Sequence, residues 1–163
     1  MQYTISDGFP YYIQLVETDY LEIFNSNERF IVYENISEQQ STFRYELDKW
    51  SLKQIIGHIT DHERIMTYRA LRFSKKDDTL LPGYDQDIFM ENSRFDEISW
   101  EDLIQDFKNV RKATLSFMKM LSPEQLNLKG KAWIYELTVE EFLKATIGHE
   151  LHHFEIIKNK YLQ

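Results

Sequence analysis

Three of the five histidines stand within five positions near the end of the chain, where residues 148–157 read GHELHHFEII. On a helix, residues four apart lie on one face, so His149 and His153 would present two imidazoles side by side. Neutral imidazoles bind zinc, nickel and iron. The spacing indicates a metal site that takes two ligands from this helix, although a histidine beside an apolar stripe is more often a hydrogen-bonded structural residue.

The same residues match the H-E-x-x-H pattern of zinc peptidases, in which the glutamate acts as general base and a further ligand lies downstream. Only ten residues follow His153, and none of them is histidine. Glu155 is the one carboxylate among them and is too near to act as a distant ligand. Helical geometry also turns Glu150 into the apolar arc of the helix, away from the two histidines. The pattern therefore disfavours a peptidase.

A di-iron carboxylate site is the second alternative, because Glu150 and His153 form a Glu-x-x-His motif. Such sites require this motif on two helices, with glutamates from the other two. The segment that begins at His58 reads HITD, which has the wrong residues in the wrong order. A di-iron site is therefore disfavoured as well.

A third imidazole for a mononuclear site is offered by His58. It lies at the edge of an apolar stripe on an earlier predicted helix, about eight residues from the helix start, whereas His149 and His153 lie about eight to twelve residues from the end of theirs. If the two helices are antiparallel, these depths coincide at roughly 12 to 18 Å from one end. We therefore predict one divalent cation at His58, His149 and His153, with His62 close enough to line the same cavity and His152 facing solvent or a partner subunit.

Three protein ligands leave a coordination position open, which is typical of catalytic rather than structural zinc sites. The open position would take water for hydrolysis or a thiol for transfer to an electrophile. Candidate catalytic residues are Glu150, Arg69 and the acids Asp85 and Asp87 of the PGYDQD segment. An acid there could orient a ligand histidine or pair with Arg69. Glu150 needs a partner if it is buried, because an unpaired interior carboxylate is costly.

The elements that must position these residues are long helices, since only five glycines and three prolines interrupt the chain. A short turn or helix is predicted near residues 10–16. Longer helices are predicted over residues 20–35, 51–73, 99–121 and 138–161, the last beginning at a capping box formed by Thr138 and Glu141. These four helices predict an all-α four-helix bundle that comprises residues 1–163 as a single domain. The long connection over residues 74–99 should cross the bundle or cover one end.

Composition narrows the possible partners. The chain has 163 residues, a formal charge of −8 and no cysteine, so a thiol would have to come from outside and no disulfide forms. The acidic charge and the lack of basic clusters disfavour nucleic acid. No apolar run reaches the roughly 20 residues of a membrane span, and residues 1–10 do not resemble a signal peptide. We therefore expect a cytoplasmic protein that binds neither nucleic acid nor membrane.

Three segments, in this order, resemble the DinB/YfiT-like bundle proteins, and their DinB-like branch in particular: YELDKWSLKQIIGHITDHERIMTYRALRFSKKD, LLPGYDQD and GHELHHFEIIKNKYL. The resemblance covers nearly the whole chain. It implies a four-helix bundle, often dimeric, with a divalent metal on three histidines. Matched by position, these are His58, of the Gly-His pair on the predicted helix 51–73, and His149 and His153 on the predicted helix 138–161. His62 stands where the family would have a small or polar residue.

The chemistry implied by the resemblance is less uniform than the fold. Relatives include low-molecular-weight-thiol S-transferases, a thiol-dependent isomerase and proposed metal-dependent hydrolases. The expected function is therefore a metal-dependent S-transferase or hydrolase that acts on a small molecule and functions as a homodimer. Zinc or nickel is the favoured metal, with iron or manganese as alternatives. A non-catalytic metal-binding or small-ligand-binding stress-response protein is the competing interpretation.

Overall fold

Helices dominate the fold. The computed structural model describes residues 2–162. The helices are α1 (Phe9–Gln14), α2 (Tyr20–Asn25), α3 (Glu28–Glu34), α4 (Glu38–Ser41), α5 (Leu52–Ser74), α6 (Gln86–Glu91), α7 (Trp100–Met118), α8 (Pro123–Leu126) and α9 (Val139–Lys160). Single 3-10 turns occupy Ile5–Asp7 and Phe95–Glu97. Strands β1 (Lys129–Ala132) and β2 (Tyr135–Thr138) form an antiparallel hairpin.

The two helices that carry the histidines both begin at capping boxes. The Oγ of Ser51 accepts the N–H of Gln54, whose side chain accepts the N–H of Ser51 in return. Thr138 and Glu141 exchange the same pair of hydrogen bonds at the start of α9. These boxes satisfy N–H groups that the first helical turn leaves without partners. The predicted helices 51–73 and 138–161 are confirmed to within one residue at each end.

The predicted continuous helix over residues 20–35 is wrong, because the chain breaks between α2 and α3. Ser26 has extended backbone angles, φ −67° and ψ 134°, and its Oγ accepts the N–H of Glu28. Asn25, Ser26 and Asn27 have short polar side chains that compete with helical backbone hydrogen bonds. The break also frees the carbonyl of Ile23 to accept a hydrogen bond from the Arg29 guanidinium.

The bundle is formed by α2–α3, α5, α7 and α9, which confirms the predicted fold class. Helices α5 and α9 are antiparallel: the hydroxyl of Tyr161 donates to the carbonyl of Trp50 at one end, and the rings of Phe73 and Phe142 lie 5.1 Å apart at the other. In the part of the chain that the structure describes, no helix is both long and apolar enough to cross a membrane.

Helices α5 and α7 are parallel. Lys53 donates to the carbonyl of Ile98 near the start of both helices, and Thr67 contacts Thr114 near their ends. Parallel neighbours require the connection between them to return along the length of the bundle, as the long predicted link over residues 74–99 suggested.

The hairpin β1–β2 was not predicted, since this stretch read as a polar loop before Thr138. The two-residue turn places Trp133 in the left-handed region with φ 53°. The segment between α5 and α7, residues 75–99, is called the crossing connection. It joins the hairpin through Leu81, whose N–H donates to the carbonyl of Lys131 and whose carbonyl accepts from the N–H of Trp133. The connection and the hairpin thus form one continuous wall beside α5 and α9.

The core is divided into two apolar clusters along the helices. One contains Met66 and Phe73 of α5 together with Phe142 and Ile147 of α9. The other contains residues nearer the opposite ends of both helices, including Ile59 and Ile157. The interval between the clusters is a buried polar layer of histidine, glutamate and arginine side chains.

Candidate metal centre

Three imidazoles from α5 and α9 converge in the polar layer. The Nε2 atoms of His58 and His149 are 3.0 Å apart, and those of His149 and His153 are 3.2 Å apart. All three candidate ligand atoms lie within 4.8 Å of one another. Nitrogens bound tetrahedrally to zinc at its usual bond length would be about 3.3 Å apart. The structure therefore brings together the three histidines that helical geometry had selected.

The arrangement fits a cation better than a hydrogen-bonded histidine network. A neutral imidazole has one N–H and one ring-nitrogen lone pair, so Nε2 of His149 makes one good hydrogen bond and not two. Two other Nε2 atoms nevertheless face it at hydrogen-bonding distance. A cation at the centre of the group would be bound by all three lone pairs at once.

The two buried histidines, His58 and His149, and the half-buried His153 are held in the neutral form that metal ligation requires. Burial lowers the pKa of His58 from 6.5 to about 4. Burial, reinforced by neighbouring imidazoles, also places the pKa values of His149 and His153 well below the ordinary value. At neutral pH each ring therefore keeps the lone pair that a metal binds.

Each helix presents its first ligand immediately after a glycine, and both glycines are required by packing. A methyl group at Gly148 would overlap the backbone carbonyl of Tyr12, because α1 lies directly against α9 at this point. A methyl group at Gly57 would overlap the ring of Phe95. The Gly-His pairs thus allow neighbouring segments to cover the histidine cluster closely.

His62 and His152 lie outside the group of three ligands. His62 is buried, with its ring stacked on that of His149 at 3.8 Å and its Nδ1 2.8 Å from the hydroxyl of Tyr84. His152 is half-buried and contacts α1, where its Nδ1 lies 3.1 Å from the hydroxyl of Tyr11. His62 therefore supports a candidate ligand ring, while His152 contacts α1 instead of facing open solvent.

Glu150 is engaged in a buried ion-pair network instead of facing the histidines. One of its oxygens accepts a hydrogen bond from Arg29 at 2.8 Å and the other accepts one from Arg111 at 2.6 Å. Arg111 also pairs with Glu63. The partner that a buried Glu150 was predicted to need is thus a pair of arginines. We assign Glu150 a structural role, and the H-E-x-x-H match has no general base at the cluster.

The other candidate catalytic residues lie on or near a neighbouring cavity. Asp85 is exposed at the cavity mouth, and its Oδ1 accepts the N–H groups of Asp87 and Ile88 at the start of α6. Asp87 is exposed and does not line the cavity. Neither acid pairs with Arg69, which is buried in the cavity wall. Both acids belong to a helix start.

The cavity has a volume of about 660 Å³, and His149 forms part of its surface. Its other walls come from α5, from α1 and the glycine before it, from the connection between α5 and α7, and from the hairpin. Five aromatic side chains line these walls: Phe9, Tyr12, Tyr84, Trp133 and Tyr135. Sequence reasoning missed all five, because it singled out only the acids of the PGYDQD segment and did not predict the hairpin or the packing of α1. On another side of the cluster, the ring of Trp50 packs 4.9 Å from that of His58.

Comparison with known proteins agrees with this fold. YfiT from Bacillus subtilis, described as a probable metal-dependent hydrolase with an unusual four-helix bundle topology, is structurally similar with a TM-score of 0.67. The sequences are 15% identical over 97% of this chain and 88% of YfiT, so the likeness concerns the fold. No curated protein matches the sequence. A family model described as the DinB superfamily matches residues 30–157, which include all three converging histidines. Since this match spans most of the sequence, the chain belongs to the DinB superfamily.

Proposed function

We propose that the protein binds one divalent cation through the Nε2 atoms of His58, His149 and His153 and uses it to activate a small exogenous thiol for transfer to an electrophile. The observation that carries this proposal is the convergence of three neutral imidazoles at the edge of an aromatic cavity. A structural zinc site would instead be closed by four protein ligands. Zinc or nickel is the cation we propose, since both accept imidazole ligands.

A cation held there would lower the pKa of a bound thiol or water molecule and so supply a nucleophile near neutral pH. We favour the thiol because no carboxylate within residues 2–162 joins the histidine group to act as a general base toward water. Glu150, the nearest carboxylate in sequence, is bound by two arginines. A thiol has an intrinsic pKa of about 8.5, against about 15.7 for water, so it depends less on a protein base or on the cation to become an anion at neutral pH.

The chain's own residues position the reactants. His149 is both a proposed ligand and part of the cavity surface, so a molecule in the cavity would lie against one of the three ligand rings. His62 holds the His149 ring by stacking, and Tyr84 holds His62 from the crossing connection. The aromatic walls exclude water from the side chains of the electrophile and favour an apolar or aromatic body.

Hydrolysis is the second candidate, supported by the description of YfiT, and a non-catalytic binding protein is the third.

The three candidates are distinguished by one experiment on metal-loaded protein. Purified protein is stripped of metal with a chelator and reloaded separately with zinc, nickel, iron or manganese. Each form is then assayed with thiol–electrophile pairs, such as cysteine or coenzyme A with monochlorobimane, and with generic esters and amides. We expect one metal ion per chain and metal-dependent consumption of the thiol.

The matched variants are His149→Ala and His152→Ala, two histidines of the same helix of which only the first belongs to the cluster. We expect His149→Ala to lose both bound metal and turnover, and His152→Ala to keep both. Turnover of esters without thiol consumption would favour the hydrolase. Stoichiometric metal without turnover on any substrate would favour the binding protein, and equal metal retention by both variants would refute the site itself.

A further inference from the structure

Arg69 is a buried cation in the wall of the aromatic cavity. Its relative exposure is 4%, equal to that of Arg29 and Arg111. Within residues 2–162, no carboxylate lies within 4.0 Å of its guanidinium, whereas every other arginine has such a partner: Arg29, Arg44, Arg64, Arg72, Arg94 and Arg111. The one arginine that lines the cavity is thus the one that lacks an acidic partner.

The contacts of Arg69 hold the side chain in place without neutralising it. Its Nη2 donates to the carbonyl of Pro82 at 2.7 Å, and its Nη1 lies 3.5 Å from the sulfur of Met66. The ring of Tyr84 lies 5.9 Å from the guanidinium carbon. A guanidinium has five N–H donors, so these neutral contacts leave donors for a ligand.

The environment of Arg69 differs sharply from that of Arg111. At Arg111, burial acts to lower the pKa, but the carboxylates of Glu150 and Glu63 outweigh it and raise the pKa above its ordinary value. At Arg69, burial lowers the pKa, with a smaller opposing effect from the hydroxyl of Tyr84. A buried charge without a counter-charge is costly, and an anionic ligand would supply the missing charge.

The position of Arg69 relates it to the histidine centre. His62 and Arg69 are seven residues apart on α5, which is two turns and roughly 10 Å along one face of the helix. His62 stacks on His149, and all three residues line the same cavity. A single small molecule can therefore span from the histidine centre to the guanidinium.

We propose that Arg69 binds the carboxylate of a small substrate whose apolar or aromatic body fills the cavity and whose reactive end lies at the histidine centre. The location of the reactive end rests on the proposed function, whereas the carboxylate site does not. One planar guanidinium matches one carboxylate through paired hydrogen bonds. A phosphate dianion fits less well, because Arg69 is the single arginine or lysine among the described residues that line the cavity and Asp85 lies at the mouth.

The proposal is tested by calorimetric titration of metal-free protein with 4-phenylbutanoate and with the uncharged 4-phenylbutanamide. Hydrogen bonds to charged groups contribute about 1.5 to 3 kcal/mol, so we expect the acid to bind roughly 10- to 100-fold more tightly than the amide. Arg69→Met should reduce this ratio to about 1, and Arg69→Lys should restore part of it. Arg64→Met, a matched change on the same helix outside the cavity, should leave the ratio unchanged.

Three results would overturn the proposal. The first is an affinity ratio of acid to amide that stays the same in Arg69→Met, and the second is a failure of the wild type to bind either compound. The third is a preference for the acid that appears only with zinc bound and does not change when Arg69 is replaced. The His153→Ala variant separates this proposal from the metal centre, because His153 belongs to the histidine group but does not line the cavity: the variant should lose metal while keeping the affinity ratio of acid to amide. If Arg69→Met does not fold, a wild-type crystal structure with 4-(4-bromophenyl)butanoate decides. The carboxylate must lie within hydrogen-bonding distance of Arg69, with the bromine located by its anomalous signal, and any other position refutes the site.

Discussion

The imidazole rings of His62 and His149 are stacked, with centroids 3.8 Å apart and an angle of 26° between their planes. His62 is in turn held by the hydroxyl of Tyr84, 2.8 Å from its Nδ1. A side chain of α5 thus fixes the orientation of a proposed ligand ring on α9, and Tyr84 fixes that side chain from the connection between α5 and α7. Groups that orient metal ligands in this way commonly change metal affinity 10- to 100-fold when they are removed.

Replacement of His62 distinguishes a supporting ring from a fourth ligand. We expect His62→Phe to keep a flat ring against His149 and to lower zinc affinity by less than about 10-fold, since no ligand is lost. His62→Ala, which removes the stacked ring, should lower it by about 10- to 100-fold. Competition titrations against a fluorescent zinc chelator measure both variants. An equally severe loss in His62→Phe and His62→Ala would mean that a nitrogen of His62 itself binds the cation.

Gly148→Ala tests the close approach of α1 to α9. A methyl group at this position would overlap the carbonyl of Tyr12, and backbone yields less readily than a side chain. Overpacking of this kind costs about 1 to 3 kcal/mol. We therefore expect a loss of about 2 kcal/mol in the free energy of unfolding by urea, together with weaker zinc binding.

The matched control for Gly148→Ala is Gly83→Ala. A methyl group at Gly83 would lie 3.3 Å from Cγ of Trp133, a side chain that is 60% exposed and free to shift. This change should cost less than about 1 kcal/mol. Equal stability of the two variants would contradict the packing described for α1.

Glu150→Gln tests the buried ion pairs. Burial acts to raise the pKa of Glu150, but the ion pairs with Arg111 and Arg29 outweigh it and hold the pKa below its ordinary value. Removing the charge leaves two buried guanidinium groups with less compensation, which costs about 3 to 5 kcal/mol when one partner of a buried pair is lost. We expect a destabilisation of that order in urea unfolding, with zinc stoichiometry unchanged under native conditions.

A suitable control is Glu155→Gln on the same helix, where the carboxylate is exposed and pairs with Lys158. Exposed ion pairs contribute roughly 0 to 1 kcal/mol, so this change should be nearly neutral. Loss of zinc from Glu150→Gln at temperatures where the variant is folded would indicate a direct role of Glu150 at the metal.

Acidification should destabilise the metal-free protein in a defined pH range. The folded-state pKa of His58, about 4, lies below the value of 6.5 expected in the unfolded chain, so the unfolded state takes up the proton first. The contribution of His58 is complete above pH 6.5 and is lost as the pH falls toward 4, a total of about 3 kcal/mol. The lowered pKa values of His149 and His153 act in the same direction.

Urea unfolding in the presence of a chelator at pH 7, 6 and 5 measures this dependence. The pH range lies above the region in which Glu150 loses its charge, so the histidines dominate the slope. The slope should be shallower in His58→Leu, which removes one titrating group. A wild-type stability that is constant from pH 7 to 5 would contradict the burial of neutral histidines.

The sequence predicted the parts of the fold that depend on local signals. Helices α5 and α9 were placed correctly because their capping boxes and apolar stripes are encoded within a few residues. The convergence of His58 with His149 and His153 followed from equal depths on antiparallel helices. The break at Ser26 was missed because the apolar pattern continues across it, although the short polar side chains of residues 25–27 gave a local signal. In the structure the Arg29 guanidinium donates to the carbonyl of Ile23 across the break.

Non-local features could not be predicted. The partners of Glu150 lie 121 and 39 residues away along the chain, and nothing near Arg29 or Arg111 identifies them as its partners. The hairpin turn at Trp133 lacks the asparagine or glycine that usually marks a left-handed turn, so its strands were not recognised. The cavity wall formed by the hairpin and the connection therefore appears only in the structure.

Because the chain must return along the bundle between the parallel helices α5 and α7, the histidine cluster and much of the cavity wall are formed by different parts of the fold. The histidines sit on rigid helices, whereas Tyr84, Trp133 and Phe9 belong to segments that lie outside the four main helices. Loops tolerate substitution and insertion far better than packed helices do. If the proposed function holds, selectivity for one reactant over another can be altered by changes in these segments without changing the histidine centre.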